Sequence, residues 1–350
     1  MSGNSVIRHT DGNYYIVDQG YDNPGLPPGY VPKVLGFIKH LQTEIADYYR
    51  HFPNRFINYE DIYYVANQIA DSESREYDNP VVQPFIDKLS TGVKLLNSQI
   101  PCARGHAWTI QEFAVECSHY VRDIVWNLLS QEPHRIDHLQ IIEDAIKEAP
   151  IVHIHTLNHD TLIEQFLKAR GRQYIDGFGT EDGGVRYWNS HVFSASEGNT
   201  HLYKLHGSID WFRLRPDKGT WYDEKIGIPV IQDFWHTRTP DGRLQLPLDG
   251  RPIFLAGTFN KILQYIDEIY IDLHCHFVRS LRRVNYVVVS GYGFGDKAIN
   301  SYIIRWLYDN TANRLIVLHP DPDTLKDAAR GAIGRPWTEW VQSGKLVTIK

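Results

Sequence analysis

The sequence predicts an α/β protein in which helices flank a parallel sheet. Apolar residues recur at helical spacing over the first third of the chain, whereas short apolar runs followed by helical stretches begin after Pro150. With 350 residues, of which 42% are hydrophobic and 13% aromatic, the chain can bury a large core. We expect one domain over residues 1–350, with a mainly helical portion over 1–149, a sheet portion over 150–350 and an inserted subdomain over about 178–249.

Apolar stripes and capping signals predict the helices of the first portion. One stripe covers residues 34–48, and Asn58 can cap a second helix. Thr109 and Glu112 form a capping-box pattern at the start of a third helix, and a fourth is expected through residues 141–146.

Short apolar runs predict the strands of the sheet portion. They are Ile151–His155, Leu202–Leu205, Ile253–Ala256, Tyr286–Ser290, Leu315–Leu318 and Leu346–Ile349. Residues 178–249 are rich in Gly, Trp, Asp and Pro and show little periodicity apart from the strand at Leu202, so we expect loops and a small subdomain there. In open parallel sheets, ligands bind beyond the carboxyl ends of the strands, so functional residues are sought in the turns that follow them.

A polar corner follows the first predicted strand, where Thr156-Leu157-Asn158-His159-Asp160 leads into a helical stretch. The Asn158 carboxamide can donate and accept hydrogen bonds, which suits it to hold a water or a ribose hydroxyl. Asn is also common as a helix cap or turn former at such corners, and that alternative stays open.

The second predicted strand ends in Lys204-Leu205-His206-Gly207-Ser208. A histidine at this point can act as a general base near neutral pH, and the glycine lets another backbone or a ligand come close. The alternative is a structural histidine whose ring nitrogens are satisfied by loop carbonyls.

A glycine turn follows the strand Tyr286–Ser290, and we use this name for residues 291–296, Gly-Tyr-Gly-Phe-Gly-Asp. Backbone amides of a glycine turn can approach a pyrophosphate, and the start of the following helix favours negative charge. Strand, turn and helix together favour nucleotide binding on a Rossmann-like sheet. The alternative is a tight turn with Asp296 as the helix cap.

Another strand end carries His319-Pro320-Asp321 after the run Leu315–Leu318. The carboxylate there can accept hydrogen bonds from ribose hydroxyls or from the adenine amine. A capped turn is the alternative.

Composition excludes several classes of function. The formal net charge of -6 gives no general attraction to nucleic acid or to an anionic membrane surface. Cys102, Cys117 and Cys275 are too few and too dispersed for a disulfide framework or a four-thiolate zinc site, which fits a reducing cytoplasm. No apolar run is long enough to cross a bilayer, so we expect a cytoplasmic protein.

A metal site at the first predicted strand is a further alternative. His153 and His155 share a face of their strand, and Asp160 is the next candidate ligand. A metal-dependent hydrolase would need a fuller ligand set than this, so no metal is expected.

Three motifs occur in one order along the chain: TLNHDTLIE, YKLHGSIDW and VVVSGYGFGDKAIN. Together they resemble the sirtuin-like domains of bacterial anti-phage defence proteins, whose motifs are a TxNxDxLIE corner, a KxHGS strand end and a GYSFxDxxIN nucleotide turn. The resemblance runs from about Tyr59 to Asn300. It implies a domain that consumes NAD.

The resemblance also implies roles for particular residues. Asn158 would position water or the nicotinamide ribose, and His206 would activate a ribose hydroxyl or water. The expected contacts with NAD are Gly20, Asp160, Ser208, Gly291, Tyr292, Gly293, Phe294, Asp296, Asn300, His319 and Asp321. Of these, the glycine turn would hold the pyrophosphate and ribose, and the last two residues would lie near adenine.

Two departures from related families refine the expected activity. The family begins with a strand and a GAGxS loop, whereas this chain has Asp18-Gln19-Gly20 after residues 14–17. A carboxylate at position 18 beside a pyrophosphate is unfavourable by on the order of 1 kcal/mol. The chain also lacks the four-cysteine zinc module of the deacylases, which favours hydrolysis of NAD to nicotinamide and ADP-ribose. The alternative is an inactive module that binds NAD or ADP-ribose as a sensor or assembly platform.

The resemblance further implies a cellular context. Uncontrolled loss of NAD would kill the host, so the enzyme is expected to act in abortive infection after activation by a partner protein, a nucleotide or a phage component. Homo-oligomers are expected as well.

Overall fold

A computed structural model describes residues 30–52, 57–74, 81–100, 107–131, 135–195, 198–231, 233–256 and 268–350. A helical portion precedes an α/β portion in which helices flank parallel strands, which confirms the predicted fold class. The Asp18-Gln19-Gly20 loop, including the expected NAD contact Gly20, lies outside the described residues.

The helical portion contains α1 (Tyr30–Tyr49), α2 (Tyr59–Ser74), α3 (Gln83–Gln99), α4 (Ile110–Leu129) and α5 (Gln140–Glu148). The four predicted helices are confirmed, whereas α3 was not predicted. The capping box of α4 is present, because Thr109 accepts from the Glu112 amide and the Glu112 carboxylate accepts from the Thr109 amide. Helices α1 to α4 share one buried core, to which Phe37 and Phe113 contribute stacked rings 5.3 Å apart.

The parallel strands form two groups in the described part of the chain. Strands β1 (Val152–Thr156) and β4 (Thr200–Lys204) pair with each other, and β8 (Tyr286–Ser290), β9 (Arg314–Leu318) and β10 (Leu346–Ile349) form a sheet in the order β10-β9-β8. The helices of this portion are α6 (Leu162–Ala169), α7 (Val192–Ala195), α8 (Glu268–Leu281), α9 (Lys297–Asp309), α10 (Pro322–Ala328) and α11 (Trp337–Gln342).

The strand predicted at Ile253–Ala256 is wrong. Phe254 forms only an isolated antiparallel bridge with Gly207. The backbone of this run pairs with the turn after β4, since the Leu255 amide donates to the His206 carbonyl at 2.8 Å. The apolar run therefore supports a loop instead of extending the sheet.

A five-stranded antiparallel sheet lies between β1 and α8 along the chain. Its strands are β2 (Phe178–Asp182), β3 (Val185–Trp188), β5 (Phe212–Pro216), β6 (Lys225–Pro229) and β7 (Gln245–Pro247), in the order β2-β3-β6-β5-β7. Loops and a small subdomain were expected here. Strands of three to five residues and a register shift between Phe178 and Glu181 explain why the sequence shows little periodicity.

The segment after β4 contacts both hydrophobic cores. Leu205 belongs to the core that contains the parallel strands and their helices, whereas Ile209 belongs to the core of the helical portion. The residues between them, including His206, are thus anchored on both sides.

Candidate functional site

The first two motifs meet because β1 and β4 are paired in parallel. Thr156 lies opposite Lys204 at the carboxyl ends of the two strands, and the Leu205 amide donates to the Thr156 carbonyl at 2.9 Å. We call residues 156–160 the Asn158 corner and residues 204–209 the His206 segment. The Ile209 amide donates to the His159 carbonyl at 2.9 Å, so the corner and the segment lie side by side.

Asn158 is exposed at the corner. Its amide donates to Thr156 Oγ1 at 3.1 Å, and its side chain makes no hydrogen bond within the described part of the chain. The cap of α6 is Thr161 and not Asn158, so the helix-cap alternative is wrong. The carboxamide is placed where a ligand can reach it.

Asp160 and Ser208 stabilise the corner from within. Asp160 Oδ1 accepts from the Leu162 amide at 3.1 Å, and the fully buried Ser208 donates through Oγ to the His159 carbonyl at 3.3 Å. Both residues were expected to contact NAD, and the structure shows them fixing the backbone beside Asn158.

Gly207 allows another stretch of backbone to approach His206. Its φ is +79°, and a Cβ at this position would lie 2.4 Å from the Ile253 carbonyl oxygen. The Ser208 amide donates to the same carbonyl at 3.1 Å. The glycine therefore serves close backbone packing, one of the two reasons anticipated for it.

The second and third motifs meet through a contact between His206 and Asp296. His206 Nε2 lies 3.1 Å from Asp296 Oδ2, and the two side chains are only 4% and 9% exposed. Asp296 Oδ1 also accepts from the amides of Ala298 and Ile299 at the start of α9. One carboxylate thus caps the helix and holds the imidazole ring.

This contact defines how the imidazole is oriented. An ionised carboxylate only accepts hydrogen bonds, so a neutral His206 that faces Asp296 carries its proton on Nε2. A buried carboxylate also stabilises the imidazolium that forms when the ring takes up a proton. Nε2 thus faces a carboxylate, whereas the structural alternative expected loop carbonyls as partners of the ring.

His274 on α8 is a neighbour of this pair that the sequence analysis did not assign to the site. Burial, and next the charge of His206, lower its pKa to about 4, whereas Asp296 acts in the opposite direction. His274 is therefore neutral at pH 7. Its position could have been inferred, because Tyr270, His274, Phe277 and Leu281 follow the spacing of a buried helix face.

The glycine turn has one buried anchor and three outward positions. Phe294 is fully buried with a φ of +51°, whereas Gly291, Gly293 and Gly295 are exposed. A Cβ at any of the three glycines would meet nothing within 4 Å. The turn thus presents backbone to open space beside Asp296.

Tyr292 and Asn300 make hydrogen bonds that hold the glycine turn against its surroundings. Tyr292 donates through its hydroxyl to Asn300 Oδ1 at 2.8 Å, and Asn300 Nδ2 donates to the carbonyls of Phe294 and Arg330, each at 2.9 Å. The structure therefore places both residues as internal supports of the expected nucleotide site.

His319 and Asp321 form a capped turn at the end of β9. Asp321 accepts from the Thr324 amide at 3.2 Å and from its hydroxyl at 2.6 Å, and these bonds lower the pKa of its carboxyl. His319 Nδ1 accepts from the Asp321 amide at 3.0 Å. Because β9 is paired with β8, this turn lies at the same edge as the glycine turn, but the structure does not bring its side chains to His206.

The histidines of β1 pack in an aromatic stack. His155 stacks on Tyr203 with ring centroids 4.5 Å apart, and His153 lies 5.1 Å from His201. Burial, followed by the charge of His201, lowers the pKa of His153 to about 4. Across the described ranges, no group of three or more His, Cys, Asp or Glu side chains could hold a metal ion.

None of the helices in the described ranges is long and apolar enough to span a membrane.

Fold and site together define a Rossmann-like α/β domain, in which an asparagine corner, a histidine and a glycine turn gather at the ends of parallel strands. The model of the SIR2-like domain family matches residues 152–337, more than half of the chain, and this range contains all three motifs. The chain belongs to the SIR2-like family, whose domains use NAD, and the predicted sirtuin-like resemblance is confirmed. No curated protein matches the chain.

Proposed function

We propose that this chain is an NAD hydrolase that releases nicotinamide and ADP-ribose. The observation that carries the proposal is the buried contact between His206 and Asp296, next to an exposed Asn158 and an open glycine turn. Membership of a family whose domains use NAD supplies the substrate class. In this proposal His206 is the base, Asp296 is the orienting carboxylate and Asn158 provides the amide.

The reaction needs little acid catalysis. The bond between C1′ of the ribose and the nicotinamide nitrogen breaks, and nicotinamide leaves as a neutral molecule with the bonding electrons. Water adds to C1′ of the oxocarbenium-like ribose and loses one proton, so NAD and water give ADP-ribose, nicotinamide and a proton. The protein has to orient the ribose, exclude bulk water and place one nucleophile.

His206 and Asn158 have complementary tasks in this scheme. His206 takes the proton from water or from a ribose hydroxyl, while Asp296 stabilises the resulting imidazolium. Asn158 holds the water or the ribose through its carboxamide, which can donate and accept at once. Residues Gly291–Gly295 precede α9, and in this scheme their backbone amides donate hydrogen bonds to the pyrophosphate.

The biological role that we propose is an activated effector of anti-phage defence by abortive infection. Rapid hydrolysis of NAD is toxic to the cell that contains the enzyme, so the enzyme has to stay inactive until infection activates it. A homo-oligomer with an activating partner protein or nucleotide fits this need. The sequence resemblance to defence proteins supports this part of the proposal.

Mass spectrometry of NAD incubated with the purified protein tests the reaction. Stoichiometric appearance of nicotinamide and ADP-ribose is expected, and calorimetry with NAD and ADP-ribose is run in parallel. Binding without turnover, also with candidate activators present, would favour the inactive sensor or assembly module instead. The Asp18-Gln19-Gly20 sequence, in place of GAGxS, is what favours that second function.

A further inference from the structure

Lys204 is a buried lysine on β4, two residues before His206. Its side chain is 3% exposed, and its ammonium donates to the Asp160 carbonyl and, at 2.8 Å, to Glu164 Oε1. A buried ammonium is costly unless it is paired and hydrogen-bonded, and both conditions are met here. None of the roles assigned above to the site uses this lysine.

The Asp160 carbonyl belongs to the Asn158 corner. Because the Asn158 side chain makes no hydrogen bond within the described ranges, the direction of its carboxamide depends on the backbone of the corner. Lys204 holds the Asp160 carbonyl, while Ser208 and the Ile209 amide hold the His159 carbonyl. These donors all come from the His206 segment.

One short segment therefore carries His206 and also fixes the corner that carries Asn158. Glu164 lies in the TLNHDTLIE motif and Lys204 in the YKLHGSIDW motif. The ion pair between them gives a physical reason for the occurrence of both motifs in one chain. It keeps two functional groups from different strands in a constant relative position.

We propose that Lys204 is a positioning residue, which holds the Asn158 corner in register with His206 and uses Glu164 as its counter-ion. This inference rests on the proposed function, because it concerns how the same site is kept in order. A neutral donor would lack the attraction to Glu164 that fixes the ammonium beneath the corner.

The surroundings of Glu164 show why the pair has to be tested as a unit. Its second oxygen, Oε2, is buried and has no hydrogen-bond partner in the described part of the chain. Burial raises the pKa of the Glu164 carboxyl, Asp210 raises it further, and Lys204 lowers it. Removing Lys204 alone leaves a buried carboxylate without its cation, whereas removing both charges avoids that penalty.

Enzyme kinetics can separate a positioning role from a role in stability. Four proteins are compared: the unaltered chain, Lys204→Met, the double variant Lys204→Met with Glu164→Gln, and Lys168→Met. Lys168 is exposed on α6, the same helix as Glu164, and serves as the matched control. For both Lys204 variants we expect kcat to fall by about 10- to 100-fold, because a displacement near 1 Å can have an effect of this size. The Kd for ADP, measured by calorimetry, should stay unchanged, because ADP lacks the nicotinamide ribose beside which Asn158 acts.

Hydrogen exchange provides a readout that does not depend on turnover. The amides of residues 157–162 should exchange at least about 10-fold faster in the double variant, while those of β8 keep their protection, because only the corner loses its anchor. If Lys204→Met does not fold, kcat and hydrogen exchange are both measured on the double variant.

Two results would overturn the proposal. One is a folded Lys204 variant with unaltered kcat, and the other is unaltered exchange over residues 157–162. Lack of NAD cleavage by the unaltered chain would contradict the proposed function instead, and the exchange data would still decide whether Lys204 holds the corner.

Discussion

The two halves of the site are built in different ways. Strand β4 is buried along its whole length, and side chains and amides at its end and in the residues that follow hold the Asn158 corner. Strand β8 is exposed at both ends and buried at Val289, and the glycine turn after it faces open space. Buried polar contacts fix the first half, whereas in the second half the hydrogen bonds of Tyr292 and Asn300 support a turn whose glycines present backbone to open space. A site that must place reacting groups tightly and accommodate a long ligand benefits from this division.

His206 and Asp296 connect the two halves. His206 comes from the first half, and Asp296 ends the glycine turn of the second. This division predicts three kinds of effect. Substitutions in the first half should lower kcat for NAD cleavage most, and those at the connection should lower it less. Substitutions in the second half should weaken NAD binding.

Substitutions in the first half should have the largest effect. His206→Ala removes the base and Asn158→Ala removes the amide that orients the water or ribose, so each should lower kcat for NAD cleavage by about 10²- to 10⁴-fold. Nicotinamide release measures the rate, and thermal unfolding shows whether the variants remain folded. Asn158 is exposed, so its variant should unfold at nearly the same temperature. Full activity in either variant would remove that residue from the mechanism.

Substitution at the connection should have a smaller effect. In Asp296→Asn, the amide oxygen can still cap α9, but the charge beside the imidazole is lost, so kcat should fall by about 10²-fold. Retention of the cap should limit the loss of unfolding free energy to about 1 kcal/mol. Asp309→Asn, at the other end of the same helix, is the control and should keep its activity. Equal kcat in the two variants would mean that Asp296 is a helix cap only.

The sequence predicted each half of the site separately but not the contact between them. Strand ends, the asparagine corner and the glycine turn follow from local patterns, so they could be located from the chain alone. His206 and Asp296 are 90 residues apart, and their meeting depends on how α8, α9 and the strands pack. From the sequence, Asp296 was therefore expected to contact the nucleotide or to cap a helix, because no sequence pattern indicates the bond to the histidine.

The same limit explains the missed elements. The antiparallel sheet over residues 178–247 consists of strands too short to show a period, and the apolar run Ile253–Ala256 has the composition of a strand although it pairs with a turn. Lys204 and Glu164 stand in recognisable motifs, yet only the folded chain shows that they pair.

The second half of the site allows a matched test with two glycines. Gly291 and Gly344 both have a φ of +69°, and a Cβ at either position would meet nothing within 4 Å. Alanine at either position should therefore lower the unfolding free energy by about 1 kcal/mol through backbone strain. Only Gly291→Ala should also weaken NAD binding, by about 10-fold, because a methyl group would stand where backbone and pyrophosphate meet. Calorimetry compares the two, and equal affinities would place the pyrophosphate elsewhere.

A test that leaves the chemistry untouched concerns pH and the packing behind the first half. His274 and His153 have folded-state pKa values of about 4, because burial disfavours their charged forms, while an unfolded histidine titrates near 6.5. Between these values the unfolded chain binds more protons than the folded chain. The contribution of these histidines to the unfolding free energy is therefore complete above pH 6.5 and is lost as the pH drops towards 4. For the nearly buried His274 the loss is at most about 3 kcal/mol, and it is less for the more exposed His153. Denaturant unfolding from pH 4 to 7 measures the slope. His274→Leu should flatten it while Asn158→Ala should not, and an unchanged slope in His274→Leu would show that this histidine does not couple folding to protons.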